Sequence, residues 1–440
     1  MRKLLSIFAI VFCGMLLTNC SDDSDSNPTG TGTGTGTKKL KTVYTGFYTY
    51  TPEGEGYAVS LSAELKIELD KATGGELISG DTVWHTGDAL PDPAPDGKFK
   101  GVPVVSMSKM FNECESLTSL DLSNFNTSNV TDMSQMFFDC LSLSSLDVSN
   151  FNTANVTDMA EMFAFCKSLT NPDLRVFSTS NVTDMNKMFY KCESLTILDL
   201  TNFNTEKVTN MSSMFDGCTK LINLDVNEFI TTSVTDMHDM FSECESLPGL
   251  DVSSFNTSNV TNMNTMFGGC VKLTSLDLSN FNTANVTDMR AMFSWCVALT
   301  SLDVSNFNTA NVTDMDMMFF ECRALTSLDL SSFNTSKLTK MNDMFDNCHS
   351  LKSLDVSSFN TSNVTEMRSM FNCCSSLTKL DLSNFDLEKL IDMYRMFYFC
   401  GDATNGVPAV GYAKDVATAE KLNNADNTSI DSSRLVFKVK

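Results

Sequence analysis

Hydrophobic and polar positions recur every 26 residues through most of this chain. Leucine, phenylalanine, Met-Phe pairs and cysteine all keep this register, and no insertion or deletion disturbs it. Twelve cysteines mark the period: Cys114, Cys140, Cys166, Cys192, Cys218, Cys244, Cys270, Cys296, Cys322, Cys348, Cys374 and Cys400. A strict period in this range is typical of a solenoid, in which each repeat packs only on its neighbours.

Within one repeat, the pattern predicts a strand followed by a helix. Apolar and polar residues alternate from Ser119 to Ser123, which indicates a strand with one buried face. From Val130 to Cys140 the apolar residues fall in one narrow stripe at helical spacing. The sequence therefore predicts an α/β repeat solenoid of about twelve 26-residue coils over residues 104–400, each with a short parallel strand and a short helix.

The segments on either side of the repeats differ from them in pattern. In residues 38–103, alternation from Tyr57 to Leu69 fits a strand, whereas the spacing of Leu61, Leu65 and Leu69 fits a helix, and both remain open. In residues 401–440 we expect a short helix near 413–422 and a strand through 435–437. Both segments are predicted to cap the ends of the solenoid, which would otherwise expose apolar surface.

The N-terminus has the pattern of a targeting segment. In residues 1–19, Arg2 and Lys3 precede an apolar stretch that is too short to span a membrane as a mature helix. The residues that end at Cys20 resemble a bacterial lipobox, which implies lipidation of Cys20. Residues 20–37 form an acidic, Gly-Thr-rich tether, and their first residues resemble a signal for export to the outer face of the outer membrane. We therefore expect a lipid-anchored outer-membrane protein; the alternative is an ordinary cleaved secretory signal.

Whole rows of the repeat resemble a known family. The pattern LxxLDLSxFN resembles a leucine-rich repeat, and with FNTSNVTDMSxMFxxC appended it resembles the BspA-like surface lipoproteins and the related mycoplasma-type lipoprotein repeats. The resemblance covers about residues 104–400 and the leader. It implies a leucine-rich-repeat-like surface protein that acts in adhesion or host interaction.

Composition and residue inventory argue against two classes of function. The net charge of −23 argues against a nucleic-acid partner, because phosphates would be repelled. The chain has three histidines, His85, His238 and His349, which neither recur nor cluster, so no base is placed to activate the abundant hydroxyls. We find no phosphate-binding loop or dinucleotide fingerprint, and we predict no enzymatic activity and no cofactor.

The cysteine column has three interpretations: a disulfide framework, a metal array or a row of buried thiols. Zinc sites need paired cysteines or histidines at close spacing, which are lacking here. Equivalent positions of stacked coils point in parallel, whereas a disulfide needs convergent Cβ vectors. Because each cysteine closes an apolar stripe, we favour small buried side chains. Cys373, beside the column, is expected to be more exposed.

A column of aspartates runs along the outward side of the predicted strands. Neighbouring carboxylates about 5 Å apart repel each other, so a compensating interaction is expected. One hypothesis is a weak cation-binding ladder, and the alternative is hydrogen bonding from the Ser119 and Ser123 columns. The candidate ladder residues are Asp121, Asp147, Asp199, Asp225 and Asp251.

Departures from the repeat mark a candidate binding surface, formed by Asn171, Arg175, Ile197, Asn223 and Trp295. Trp295 is expected outward on a helix, where tryptophan is suited to anchoring contacts. We predict a cell-surface binding or adhesion protein that presents a rigid repeat surface to a host or neighbouring-cell protein or glycan. The alternatives are a structural spacer without a specific ligand, or a hydrolytic enzyme with its active site in the N-terminal segment, where the sequence shows none.

Overall fold

The computed structural model describes residues 40–71, 76–79, 82–85, 88–402 and 407–440. The predicted signal peptide, tether and lipidation site at Cys20 lie outside the described residues. In the part of the chain that is described, no helix is long and apolar enough to cross a membrane.

The N-terminal segment contains both elements that its sequence left open. Its elements are β1 (Val43–Tyr44), β2 (Tyr48–Glu53), β3 (Gly56–Leu61), α1 (Ala63–Asp70), β4 (Glu76–Ser79), β5 (Thr82–His85), β6 (Lys98–Phe99) and β7 (Val102–Ser106). The alternation belongs to β3 and the helical spacing to α1, where Leu65 and Leu69 are buried. Ser62 caps α1 by accepting the Leu65 N–H at 3.1 Å. Five strands form one sheet in the order β1-β2-β3-β7-β6, and its strand β7 leads directly into the first coil.

Short parallel strands join some neighbouring coils. They are β8 (Ser119–Asp121), β9 (Ser145–Asp147), β10 (Ile197–Leu198), β11 (Asn223–Leu224), β12 (Ser353–Leu354) and β13 (Lys379–Leu382). They pair as β8 with β9, β10 with β11 and β12 with β13. The prediction of a strand in every described coil is therefore wrong. Between β11 and β12 the inter-coil bonds at this face are weak, since the Thr300 N–H lies 3.5 Å from the carbonyl oxygen of Thr274.

Two successive turns replace the predicted helix of each coil. In the first coil, Met110 donates its N–H to Met107 O and Cys114 to Phe111 O. Lys109 and Glu113, at the third position of each turn, have φ of 60° and 58°, which is the pattern of a type II turn. The helix prediction is wrong throughout the described repeats, because alternate amides donate to the next coil rather than along their own segment.

The turns form a ladder that links the coils. The N–H of Lys109 donates to Ser134 O at 3.0 Å and that of Phe111 to Met136 O at 2.8 Å, and later coils repeat this pattern. A second ladder of parallel bridges begins with Ser106–Asp132 and continues with Asp132–Asp158. The coils are therefore hydrogen-bonded to one another on more than one side.

The core consists of apolar columns, each contributed by one position of the repeat. The rings of the Phe111 column stack from coil to coil up to Phe397, with centroids 5.4–5.9 Å apart and planes within 10° of parallel. The other buried columns begin at Met107, Met110, Cys114, Leu117, Leu120, Leu122, Phe125 and Val130. Because each column packs on itself, one 26-residue register serves the whole array.

The C-terminal segment covers the last coil. It contains β14 (Ala409–Ala413), α2 (Val416–Leu422), α3 (Ala425–Thr428) and β15 (Leu435–Val439), and β13, β14 and β15 pair in parallel. The predicted helix and strand are confirmed as α2 and β15. Phe437 contacts the last ring of the stack, Phe397, at 5.0 Å, and the Phe397 N–H donates to Thr428 O.

Candidate binding surface

Three of the five predicted surface residues lie side by side. Asn171, Ile197 and Asn223 occupy the column that begins at Ser119, in three consecutive coils. Ile197 is paired with Asn223 between β10 and β11, and the Thr196 hydroxyl lies 3.0 Å from the side-chain amide of Asn171. Ile197 is 51% exposed. The structure therefore brings these three residues together on the strand side of the array.

Arg175 lies in the same coil as Asn171 and is held by its own neighbour. Its Nη2 lies 2.6 Å from Asp173 Oδ2, and both side chains are exposed. The hydrogen bonds from Arg175 lower the pKa of the Asp173 carboxyl to about 2. We call Asn171, Arg175, Ile197 and Asn223 the strand-face patch.

Trp295 lies apart from this patch, on a turn rather than on a helix. It occupies the third position of the second turn of its coil with φ 62° and is 44% exposed. Its indole meets Phe320 edge-on at 5.8 Å, and the Arg323 guanidinium lies 5.7 Å from the ring centroid. The prediction that Trp295 lies on a helix is wrong, because alternate amides of this segment donate to the next coil rather than along their own segment.

Aspartates of the Asp121 column accept hydrogen bonds from the residue two places on. Asp121 Oδ1 accepts from the Ser123 N–H at 2.9 Å and from its hydroxyl at 2.6 Å, and Thr201 makes the same contacts to Asp199. These bonds lower the pKa of both carboxyls. Among the residues described, no group of three or more His, Cys, Asp or Glu side chains is placed to hold a metal ion. Cation binding at the five ladder residues stays a prediction: Asp121, Asp147, Asp199, Asp225 and Asp251.

The cysteine column consists of buried thiols. From Cys140 to Cys374, each thiol of the column contacts a phenylalanine carbonyl of the preceding coil; Cys140 Sγ, for example, lies 3.1 Å from Phe111 O. Burial raises the pKa of these thiols. Cys373 is half-buried, in agreement with the expectation that it is more exposed than the column.

Sequence reasoning missed a buried polar column, that of Thr127. Its members are fully buried, yet each hydroxyl binds the backbone of the next coil. The signal was present in the sequence, because threonine follows Phe-Asn in most rows at a position that a solvent-exposed loop would not restrict. The residues are Thr127, Thr153, Thr179, Thr205, Thr231, Thr257, Thr283, Thr309, Thr335 and Thr361.

Comparison with known proteins gives a family and two structural likenesses. A leucine rich cell surface protein from Faecalibacterium prausnitzii has 16% identity and a TM-score of 0.32, with 74% of this chain and 97% of that chain covered. The TLR13 chain of a TLR13–ssRNA13 complex has 17% identity and a TM-score of 0.23, with 75% of this chain and 52% of that chain covered. No curated protein matches the sequence. The family model described as "Mycoplasma protein of unknown function, DUF285" matches residues 97–198, 188–301 and 327–431. The chain therefore belongs to the DUF285 family.

Proposed function

We propose that this protein is a cell-surface binding protein of the BspA-like kind, anchored in the outer membrane through a lipid on Cys20. It presents the strand side of its rigid repeat array to a protein or glycan outside the cell. The acidic charge of −23 supports a non-nucleic-acid ligand. The proposal includes no catalytic step, since its residues act by contact alone.

The strand-face patch carries this proposal. Elsewhere its column is mostly serine, but here an exposed isoleucine lies between two amides, and an exposed arginine follows in the coil of Asn171. An apolar side chain surrounded by hydrogen-bonding groups has the composition of a small protein-contact surface. A uniform row of serines lacks this combination of apolar and hydrogen-bonding groups and so has less means of selecting one ligand over another.

The array is suited to hold this patch in a fixed geometry. The hydroxyl of Thr179, in the coil of Asn171, donates to Asn204 O at 2.9 Å, and the Asn204 N–H returns a bond at 2.8 Å. The next coil is held in the same way by Thr205. A surface that is already ordered loses little conformational entropy when a ligand binds.

The alternative function is a structural spacer. The uniform stretch from Ser275 to Ser353, where the same column is serine in four consecutive coils, favours it. A spacer needs stiffness and reach but no ligand.

Binding by a soluble form of residues 38–440 separates the two. We expect the soluble form to bind at least one member of a panel of immobilised extracellular-matrix proteins or glycans. The variant N171S/R175S/I197S/N223S should bind that ligand at least ten-fold more weakly. The control S301A/S327A/S353A changes the same column in the uniform stretch and should bind normally. Full binding by the patch variant contradicts the role of the strand-face patch, and absence of binding to every member of the panel favours the spacer.

Anchoring is tested separately in the full-length chain. The variant C20A should remove the protein from the outer-membrane fraction. Protease added to intact cells should digest the wild-type protein. Protection of the protein in intact cells contradicts surface display.

A further inference from the structure

Trp295 borders a depression on the turn side of the array. The depression measures about 330 Å³, and its walls and floor include Glu243, Glu245, Gly268, Gly269 and Trp295. It lies away from the strand-face patch and involves none of its residues.

Two glycines of the turn column contribute to the lining of the depression. Gly269 is the residue that corresponds to Trp295 in the preceding coil, and Gly268 precedes it. Thr265 lies beside Gly268 and the side chain of Glu243 beside Gly269, and the indole of Trp295 lines the depression with them. The next coil contributes Phe320 and Arg323 to the surroundings of the indole.

The depression has room for one flat group. Its volume is about 330 Å³, and a planar group in van der Waals contact needs about 3.5–4 Å between its face and the wall.

The charges around the opening favour a cation. Glu243 and Glu245 line the depression together with Trp295, and both are exposed. The Lys191 ammonium lies 3.7 Å from Glu243, at the far side, which leaves Glu245 without a cation in the ion pairs of the described chain. Arg323 is already paired with Glu321 at 2.5 Å, which reduces its repulsion of a second cation at the indole. An indole face and a carboxylate both attract a guanidinium, which stacks on the ring and forms charge-assisted hydrogen bonds.

We propose that the Trp295 depression binds the guanidinium of an arginine side chain on a partner protein. The planar guanidinium stacks on the indole of Trp295 where it lines the depression and directs its N–H groups to Glu243 and Glu245. This site is additional to the strand-face patch, and either one can fail without the other.

The chain's two tryptophans provide the measurement. In a protein labelled with ¹⁵N-tryptophan, each indole N–H gives one signal. Trp84 is 2% exposed and donates to Asp88 O at 3.2 Å, so its signal serves as an internal reference. Acetyl-Gly-Arg-Gly-amide should shift the Trp295 signal saturably and leave the Trp84 signal in place. The citrulline peptide, which has the same shape without the charge, should bind at least five-fold more weakly.

Matched variants identify the carboxylates. E243Q/E245Q should weaken the arginine peptide at least five-fold, with both tryptophans kept as reporters. E113Q/E115Q changes the same two columns in the first coil and should leave the affinity unchanged. Any of three results overturns the proposal. The Trp295 signal does not move with the arginine peptide, the citrulline peptide binds equally well, or methyl glucoside shifts the signal and the arginine peptide does not. The strand-face variant should bind the arginine peptide normally, which keeps this test separate from that of the proposed function.

Discussion

The hydroxyl of Thr127 makes two hydrogen bonds to Asn152 in the next coil. It donates to the Asn152 carbonyl at 2.9 Å and accepts the Asn152 N–H at 2.7 Å. The same exchange recurs down to Thr361 and Asp386. Because these threonines are fully buried, these two bonds satisfy a hydroxyl that has no access to water.

Replacing one of these hydroxyls by a methyl group should therefore be costly. In T257V, the shape is kept, but the N–H and carbonyl of Asn282, which lie 2.8 and 3.0 Å from Thr257 Oγ1 in the wild type, lose their partner. We expect the free energy of unfolding in urea to fall by about 1–3 kcal/mol.

The control for this variant is T287V. Thr287 is exposed, and the Thr261 carbonyl that its hydroxyl binds at 3.1 Å also accepts the Thr287 N–H at 2.8 Å. Its effect should stay within about 0.5 kcal/mol. Equal effects of T257V and T287V contradict the assigned role of the buried column.

Glycine should stabilise the turns where a side chain now occupies the left-handed region. Ala291 has φ 53° at the third position of a turn, a conformation that costs an L-residue roughly 1–2 kcal/mol. We expect A291G to raise the free energy of unfolding by about 1 kcal/mol. A284G is the matched control, because Ala284 is a half-buried alanine of the same repeat outside the left-handed region. It should lower stability by up to about 1 kcal/mol. The opposite order of the two variants contradicts the turn geometry.

Thiol reactivity should distinguish Cys373 from the buried column. Burial raises the pKa of Cys114 and Cys270 to about 12, so little thiolate forms and no reagent reaches it. In the soluble form of residues 38–440, we expect one thiol to react rapidly with Ellman's reagent in the folded state. C373S should abolish this phase and C270S should leave it unchanged. Several fast thiols, or a fast phase that survives C373S, would show that the column is accessible.

Asp216 should make the protein less stable as pH rises. Burial, together with the nearby Asp239 and Glu243, raises the pKa of its carboxyl from the ordinary 3.8 to about 7. Between these values the folded protein keeps a proton that the unfolded chain has lost, so stability falls as pH increases from about 4 to about 7. D216N removes this proton uptake, and its urea midpoint should fall less steeply than that of the wild type over this window.

D251N is the control for the pH dependence. Hydrogen bonds from Ser253 lower the pKa of the exposed Asp251, so its contribution is present above the ordinary value and is lost as pH falls below it. D251N should therefore follow the wild type through the window assigned to Asp216. Parallel curves for D216N and the wild type contradict the raised pKa.

The sequence predicted the register, the stacked apolar columns and the elements that cover the last coil, because each depends on hydrophobic spacing. It failed on the helices because turns of four residues also place Val130, Met133 and Phe137 on one side. The sequence also did not show which turn residues have a positive φ. Glycine marks them at Gly217 and Gly269, while the other described coils carry larger residues there.

The candidate site was predictable only as a set of departures from the repeat. Asn171, Ile197 and Asn223 share a column in the sequence, and the structure places them together as that register requires. The Trp295 depression was not predictable, since it depends on a missing side chain one coil earlier. Sequence periodicity shows which positions are equivalent, whereas an opening depends on which neighbours are absent.

The central claim is that every coil is held to the next in a 26-residue register. Deleting residues 326–351 removes one full period and brings equivalent columns together, whereas deleting residues 326–338 removes half a period. Urea unfolding of the two variants, followed by circular dichroism, tests the claim most directly. We predict a cooperative transition near that of the wild type for the full-period deletion, and a transition at lower urea concentration and with smaller amplitude for the half-period deletion. Loss of folding in the full-period variant, or equal stability of the two, would contradict the account.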